Sequence, residues 1–276
     1  MGDDSLPVDP AAPVVAPTLV IAGGASFPFM RETALSWEPR QQCRGLQPEG
    51  DRMTESTATT KPVTAISRTA ALLVFAGAAT FVVLLVALHF IKLGLDPSRH
   101  FISEYAIGKH GWIIVLAFLS LAVSYTSLFV AIRSQLRTIA GRIGLGLLLV
   151  SALGLIIAAV FTTDPITVSE DAVTTEGALH NLGGTLGIGM PFAAALVGWK
   201  LIRNPVWSTA QRPLLWATGV ALMAFLVSFA SLGVMVSQSG GRFGPDVLVG
   251  WPNRIEVLAY GVWLMTVAWQ AVKLSR

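Results

Sequence analysis

TAALLVFAGAATFVVLLVALHFI, residues 69–91, runs for 23 residues without an Asp, Glu, Lys or Arg. A helix rises about 1.5 Å per residue, so a hydrocarbon layer of about 30 Å is crossed by about 20 apolar residues. The stretch reads as one membrane span. Moving outward from it, blocks of similar length and character recur at 112–132, 143–161, 179–201, 214–236 and 254–272, each bounded by charge, Pro or Gly. The composition agrees: 53% of the 276 residues are hydrophobic and 13% charged, and mean hydropathy is +0.65. Soluble domains carry about a quarter charged residues. The predicted fold class is an all-α membrane protein, a six-transmembrane-helix bundle over residues 67–276. Loops of about ten to twenty residues suit antiparallel neighbours.

Residues 1–66 are rich in Pro, Ala, Thr and acids and carry no sustained periodicity, which predicts a disordered polar segment. The apolar patch from Val14 to Ile21 is too short to span a bilayer, and Asp3, Asp4 and Asp9 precede it where a signal peptide has basic residues. Two readings stand for this segment: a disordered cytoplasmic tail, or translation that begins at Met53. The single cysteine, Cys43, permits no intramolecular disulfide. The formal charge of +3 requires no nucleic-acid partner. The expected partners are membrane lipids, and the oligomeric state is left open.

Basic residues sort by loop. Arg52, Lys61 and Arg68 precede the first span, Arg133, Arg137 and Arg142 fill the second loop, Lys200, Arg203 and Arg212 the fourth, and Lys273 and Arg276 end the chain. The opposite side holds Lys92, Arg99, Lys109, Arg242 and Arg254. The positive-inside rule then predicts cytoplasmic termini in a plasma-membrane protein. Helix four carries Gly183 and Gly187 at the spacing that lets backbones approach closely, and Pro191 is expected to kink it. Trp112, Trp199, Trp207, Trp216 and Trp251 fall near span ends, where interfacial rings sit.

The extracytoplasmic loops bring candidate chemistry to one face: Ser103 and Glu104 from the first, Asp164 at the end of helix three, His180 at the start of helix four, and Arg254 and Glu256 entering helix six. Ionisable groups at a membrane boundary cost several kcal/mol unless paired or solvated, so their convergence predicts a shared polar pocket. In it His180, Asp164 and Ser103 are the catalytic candidates, His180 as a general acid or base oriented by Asp164. Glu104, Arg254 and Glu256 are the ligand-binding candidates. Each also has a plain structural role open to it: Ser103 as a loop cap, Glu104 as a solvated acid, Asp164 as a turn acid, His180 as an interfacial side chain, Arg254 and Glu256 as ion-pair members. No metal site and no cofactor is expected; His89, His100 and His110 form no i, i+4 pair. The chain lacks G-x-S-x-G, Walker A, H-E-x-x-H and CxxC patterns.

The succession FISEYAIGKHGW (101–112), AAVFTTDP (158–165), EGALHNLGG (176–184) and NRIEVLAYGVW (253–263) resembles the prokaryotic integral membrane family catalogued as domain of unknown function 998. That resemblance covers about residues 66–275 and implies six helices and no established activity. More distantly, the Ile-Ser-acid stretch, the His opening helix four and the Glu entering helix six are similar to the Frag1/DRAM/Sfk1 membrane proteins. The matching positions are Ser103 with Glu104, His180 and Glu256, and this similarity implies handling of lipid headgroups. Three readings follow: a pocket that binds or modifies a lipid headgroup, with Arg254 suited to phosphate; a small transporter coupled to protons or cations, against which stands the scarcity of ionisable residues in mid-helix; and a structural protein without catalysis.

Overall fold

The computed structural model of the chain describes residues 66–239 and 247–275. The N-terminal segment with Cys43 and Met53, the fifth-loop residues Arg242 and Asp246, and Arg276 lie outside them. The described part is helical, with no strand, in the order α1 (Arg68–Ile91), α2 (Trp112–Ile132), α3 (Ile139–Val160), α4 (Thr175–Gly187), α5 (Gly189–Ile202), α6 (Gln211–Gln238) and α7 (Gly250–Leu274). α4 and α5 are two halves of one crossing, so six spans are long and apolar enough for a membrane. This is the expected six-helix membrane fold.

The spans close a ring in which each packs on its chain neighbour and α7 returns to α1. Phe81, Leu88, Ile114, Leu121, Leu128 and Leu148 fill its interior. Val83, Phe90, Leu215, Met223 and Phe229 project outward, the apolar exterior of a protein solvated by lipid tails.

Several helices begin earlier than their hydropathy suggests, because capping hydroxyls set the first turn. Thr138 accepts from Gly141 N and starts α3 at Ile139; Thr174 accepts from Gly177 N and starts α4 at Thr175. α7 starts at Gly250, whose N–H donates to Ser98 O at 2.9 Å. No side chain fits at that position: a Cβ there would lie 1.9 Å from Pro97 O. The early start places Arg254 and Glu256 inside the span rather than at its mouth.

The fourth crossing breaks at Ile188, three residues before Pro191. A proline removes the N–H that would bond the carbonyl four residues back and crowds that carbonyl, which here belongs to Gly187. The neighbouring Leu186 carbonyl accepts from Ser151 Oγ at 3.3 Å, a polar side chain of α3 serving backbone that the break releases. The two glycines of α4 play unequal parts. A Cβ on Gly183 would meet Gly154 O of α3 at 2.6 Å, whereas one on Gly187 would meet nothing; the close approach is a Gly154–Gly183 contact. Of the five tryptophans expected near span ends, Trp112, Trp199, Trp216 and Trp251 are exposed and Trp207 is wholly buried, because the 3-10 turn Pro205–Ala210 folds it inward.

Candidate functional site

The first (92–111) and third (161–174) loops and the described residues 247–249 before α7 lie at one end of the bundle, and two polar assemblies form there. The first is organised by Arg254. Its side chain is 2% exposed, and its Nε donates to His89 Nε2 of α1 at 2.9 Å. Nη1 donates to His100 O at 2.8 Å and Gly250 O at 3.0 Å, and Nη2 donates to Tyr105 OH at 3.1 Å. His89 Nδ1 faces Leu85 O at 2.7 Å; a carbonyl only accepts, so Nδ1 carries the proton and Nε2 is the acceptor Arg254 requires. The guanidinium thus ties α7, α1 and the first loop together, with no carboxylate among the described residues in hydrogen-bond range.

Glu104 completes this assembly. Also 2% exposed, it accepts from Phe101 N through Oε2 and from Ile166 N through Oε1, both at 2.9 Å, joining the first loop to the third. His100 Nδ1 approaches Oε1 at 3.2 Å without forming a hydrogen bond. Lys92 Nζ donates to Tyr105 O and Ile107 O, each at 2.6 Å, and burial lowers its pKa. Asp164 accepts from Thr174 N at 2.8 Å and Thr174 Oγ1 at 2.9 Å, which fixes the hydroxyl that caps α4. A Cβ on Gly177 would collide with the Asp164 carboxylate.

The second assembly is a cavity of about 340 Å³ beside the first. His180, Ser103 and Glu256 line it; Glu104, Asp164 and Arg254 do not. Its floor reaches Ile188 and Met190, the middle of the fourth crossing. His180, 6% exposed, sets Nδ1 against Phe161 O at 2.9 Å, so a backbone carbonyl orients the ring and leaves Nε2 with the lone pair. Glu256 Oε1 accepts from Tyr260 OH at 2.7 Å. Across the cavity Asn253 Oδ1 accepts from Ile102 N at 3.1 Å, which turns its NH2 outward as a donor. The walls come from α2, α3, α4 and α7, with none from α6. Among the described residues α4 packs on α3 and has few contacts with the other spans.

The model of the family described as Protein of unknown function (DUF998) matches residues 75–270. The chain belongs to this family. No curated protein and no solved structure matched it. In this DUF998 protein the matched region contains every group of both assemblies. Among the described residues no cluster of three or more His, Cys, Asp and Glu has the geometry to hold a metal ion.

Asn181, Asn253 and Tyr260 escaped the sequence reading of this DUF998 chain, as did His89 and Tyr105 in the Arg254 assembly. Asn and Tyr carry no formal charge and so raise no signal in a hydropathy profile. One clue was available for the asparagines: each is the immediate neighbour of a flagged residue, His180 or Arg254, on a helix that ends at the same face.

Proposed function

We propose that this DUF998 protein binds, and through His180 acts on, a membrane lipid whose headgroup sits among Ser103, His180, Asn181, Asn253 and Glu256. The observation that carries the reading is the make-up of the cavity: polar groups of the first loop, α4 and α7 share it with apolar side chains of α2 and α3, within the membrane-spanning part of the chain. Its volume lies in the range of small-molecule sites. In the neutral ring His180 Nε2 is the acceptor a general base needs, while Asp164, Glu104 and Arg254 act as scaffold that fixes the loops around it. The Lys and Arg distribution supports placing the cavity on the extracytoplasmic side of the plasma membrane with both termini inside.

The test is lipid mass spectrometry of protein purified from its host membrane. Gly184 lines the cavity and a Cβ there meets nothing within 4 Å, so Gly184→Phe fills the space without disturbing the helix. The wild type is expected to retain one lipid class that Gly184→Phe loses. Identical lipid profiles for the two would overturn the reading. A change in total host lipids that reverts with His180→Ala at equal abundance would assign chemistry as well as binding.

A further inference from the structure

The valences left open on the cavity wall define what it can hold. Four groups take no partner among the described residues: His180 Nε2 is an acceptor in the neutral ring, the Asn253 amide nitrogen a donor, and the Ser103 hydroxyl and Asn181 amide both. Glu256 adds a carboxyl deep in the wall, with one oxygen engaged by Tyr260. No Lys or Arg among the described residues lines the cavity. Among the described residues, the two buried or partly buried cations nearest in the chain to this wall are committed elsewhere, Arg254 to His89, Tyr105 and two carbonyls, and Lys92 to the Tyr105 and Ile107 carbonyls.

We infer that the cavity selects a lipid whose headgroup is an uncharged hydroxyl or polyol and discriminates against one that bears a phosphate monoester. This rests on the lipid-cavity reading and sharpens it. A hydroxyl both gives and accepts one proton, which matches the paired donor and acceptor presented by Asn253 and His180. A phosphate offers acceptors only, brings close to two negative charges, and would be stripped of water beside Glu256 with no cation to compensate. Selection therefore comes from the unfavourable fit of the competitor as much as from contacts to the ligand. The shared chemistry is the hydroxyl; its carrier is a diacylglycerol, a glycosylated diacylglycerol or a long isoprenoid alcohol.

The experiment is native mass spectrometry of the full chain in detergent, titrated with dioleoylglycerol, its monoglucosyl derivative, a long-chain isoprenoid alcohol and dioleoyl phosphatidic acid. The wild type is expected to hold at least one hydroxyl lipid about tenfold more tightly than phosphatidic acid, about 1.4 kcal/mol, and which of the three binds best identifies the carrier. Asn181→Lys, which sets a cation on an exposed part of the cavity wall, is expected to bring the ratio to about one. Phosphatidic acid binding as tightly as every hydroxyl lipid in the wild type, with all binding lost in Gly184→Phe, would overturn the selectivity and leave the lipid cavity standing. Binding of all four lipids unchanged in Gly184→Phe would overturn the cavity reading itself.

Discussion

Arg254 and His180 occupy the same end of one bundle, both are nearly inaccessible, and both are held by backbone carbonyls, yet one assembly is closed and the other open. Around Arg254 the donors are taken up by a histidine, a tyrosine and two carbonyls drawn from three parts of the chain. Around His180 a single carbonyl fixes the ring, and the polar groups beside it, apart from the Tyr260–Glu256 and Ile102–Asn253 bonds, have no partner among the described residues. The difference teaches that burial alone does not mark a site. A buried polar group whose valences are filled stabilises the fold; one whose valences stay open is available to a ligand.

The comparison can be broken most forcefully at Arg254. Arg254→Ala strands His89 Nε2, Tyr105 OH and the His100 and Gly250 carbonyls without their donor, and the expected loss is about 3 kcal/mol or more, read as failure to accumulate in the membrane or as a large drop in unfolding temperature in detergent. Arg254→Lys keeps the charge but not the fork, so recovery should be partial. Glu104→Ala removes the acceptor of two backbone N–H groups and should cost about 2 kcal/mol; Glu104→Gln, which keeps one carbonyl, should cost less by the same assay.

Two glycines one residue apart sharpen the contrast. Gly183→Ala pushes a Cβ toward Gly154 O, whereas Gly184→Ala meets open space. The first should lose about 1–2 kcal/mol as α4 is driven from α3, and the second should be neutral or gain up to about 1 kcal/mol from helix propensity. His180→Ala should abolish lipid retention while lowering stability by only about 1 kcal/mol. A stability loss as large as that of Arg254→Ala would make His180 a second structural knot.

The smallest effect belongs to the exposed turn at Asp96. The Ser98 N–H and hydroxyl hold its carboxyl below the ordinary value of 3.8. A depressed folded-state value means stability that is fully present above that ordinary value and fades as pH falls through the lowered one. Unfolding curves of wild type and Asp96→Ala should therefore differ slightly at neutral pH and converge in strong acid.

Most of the fold was legible in the sequence, because a membrane span announces itself by length and apolarity. Boundaries moved where hydropathy is blind to capping: Thr138 and Thr174 each start a helix four residues before the apolar block begins. The break in the fourth crossing was signalled by Pro191, but its site follows from the carbonyl four residues back. The polar end was legible as a gathering of Ser103, Glu104, Asp164, His180, Arg254 and Glu256. How they divide was not. Residues 253, 254 and 256 leave α7 in different directions, and only the packing of α1 and the first loop determines that residue 254 turns into the bundle while 253 and 256 border a cavity.

Entry of a lipid from the bilayer, as proposed for this cavity, alters what affinity has to accomplish. A ligand that arrives through water is present at its aqueous solubility, which for a two-chained lipid is vanishingly small. One that slides in from the bilayer is present at its mole fraction in that leaflet, already oriented, with its chains already out of water. The hydrophobic part of the transfer is then nearly neutral, so occupancy of the proposed site would depend on a few headgroup hydrogen bonds, and the cavity would sample the composition of the membrane around it.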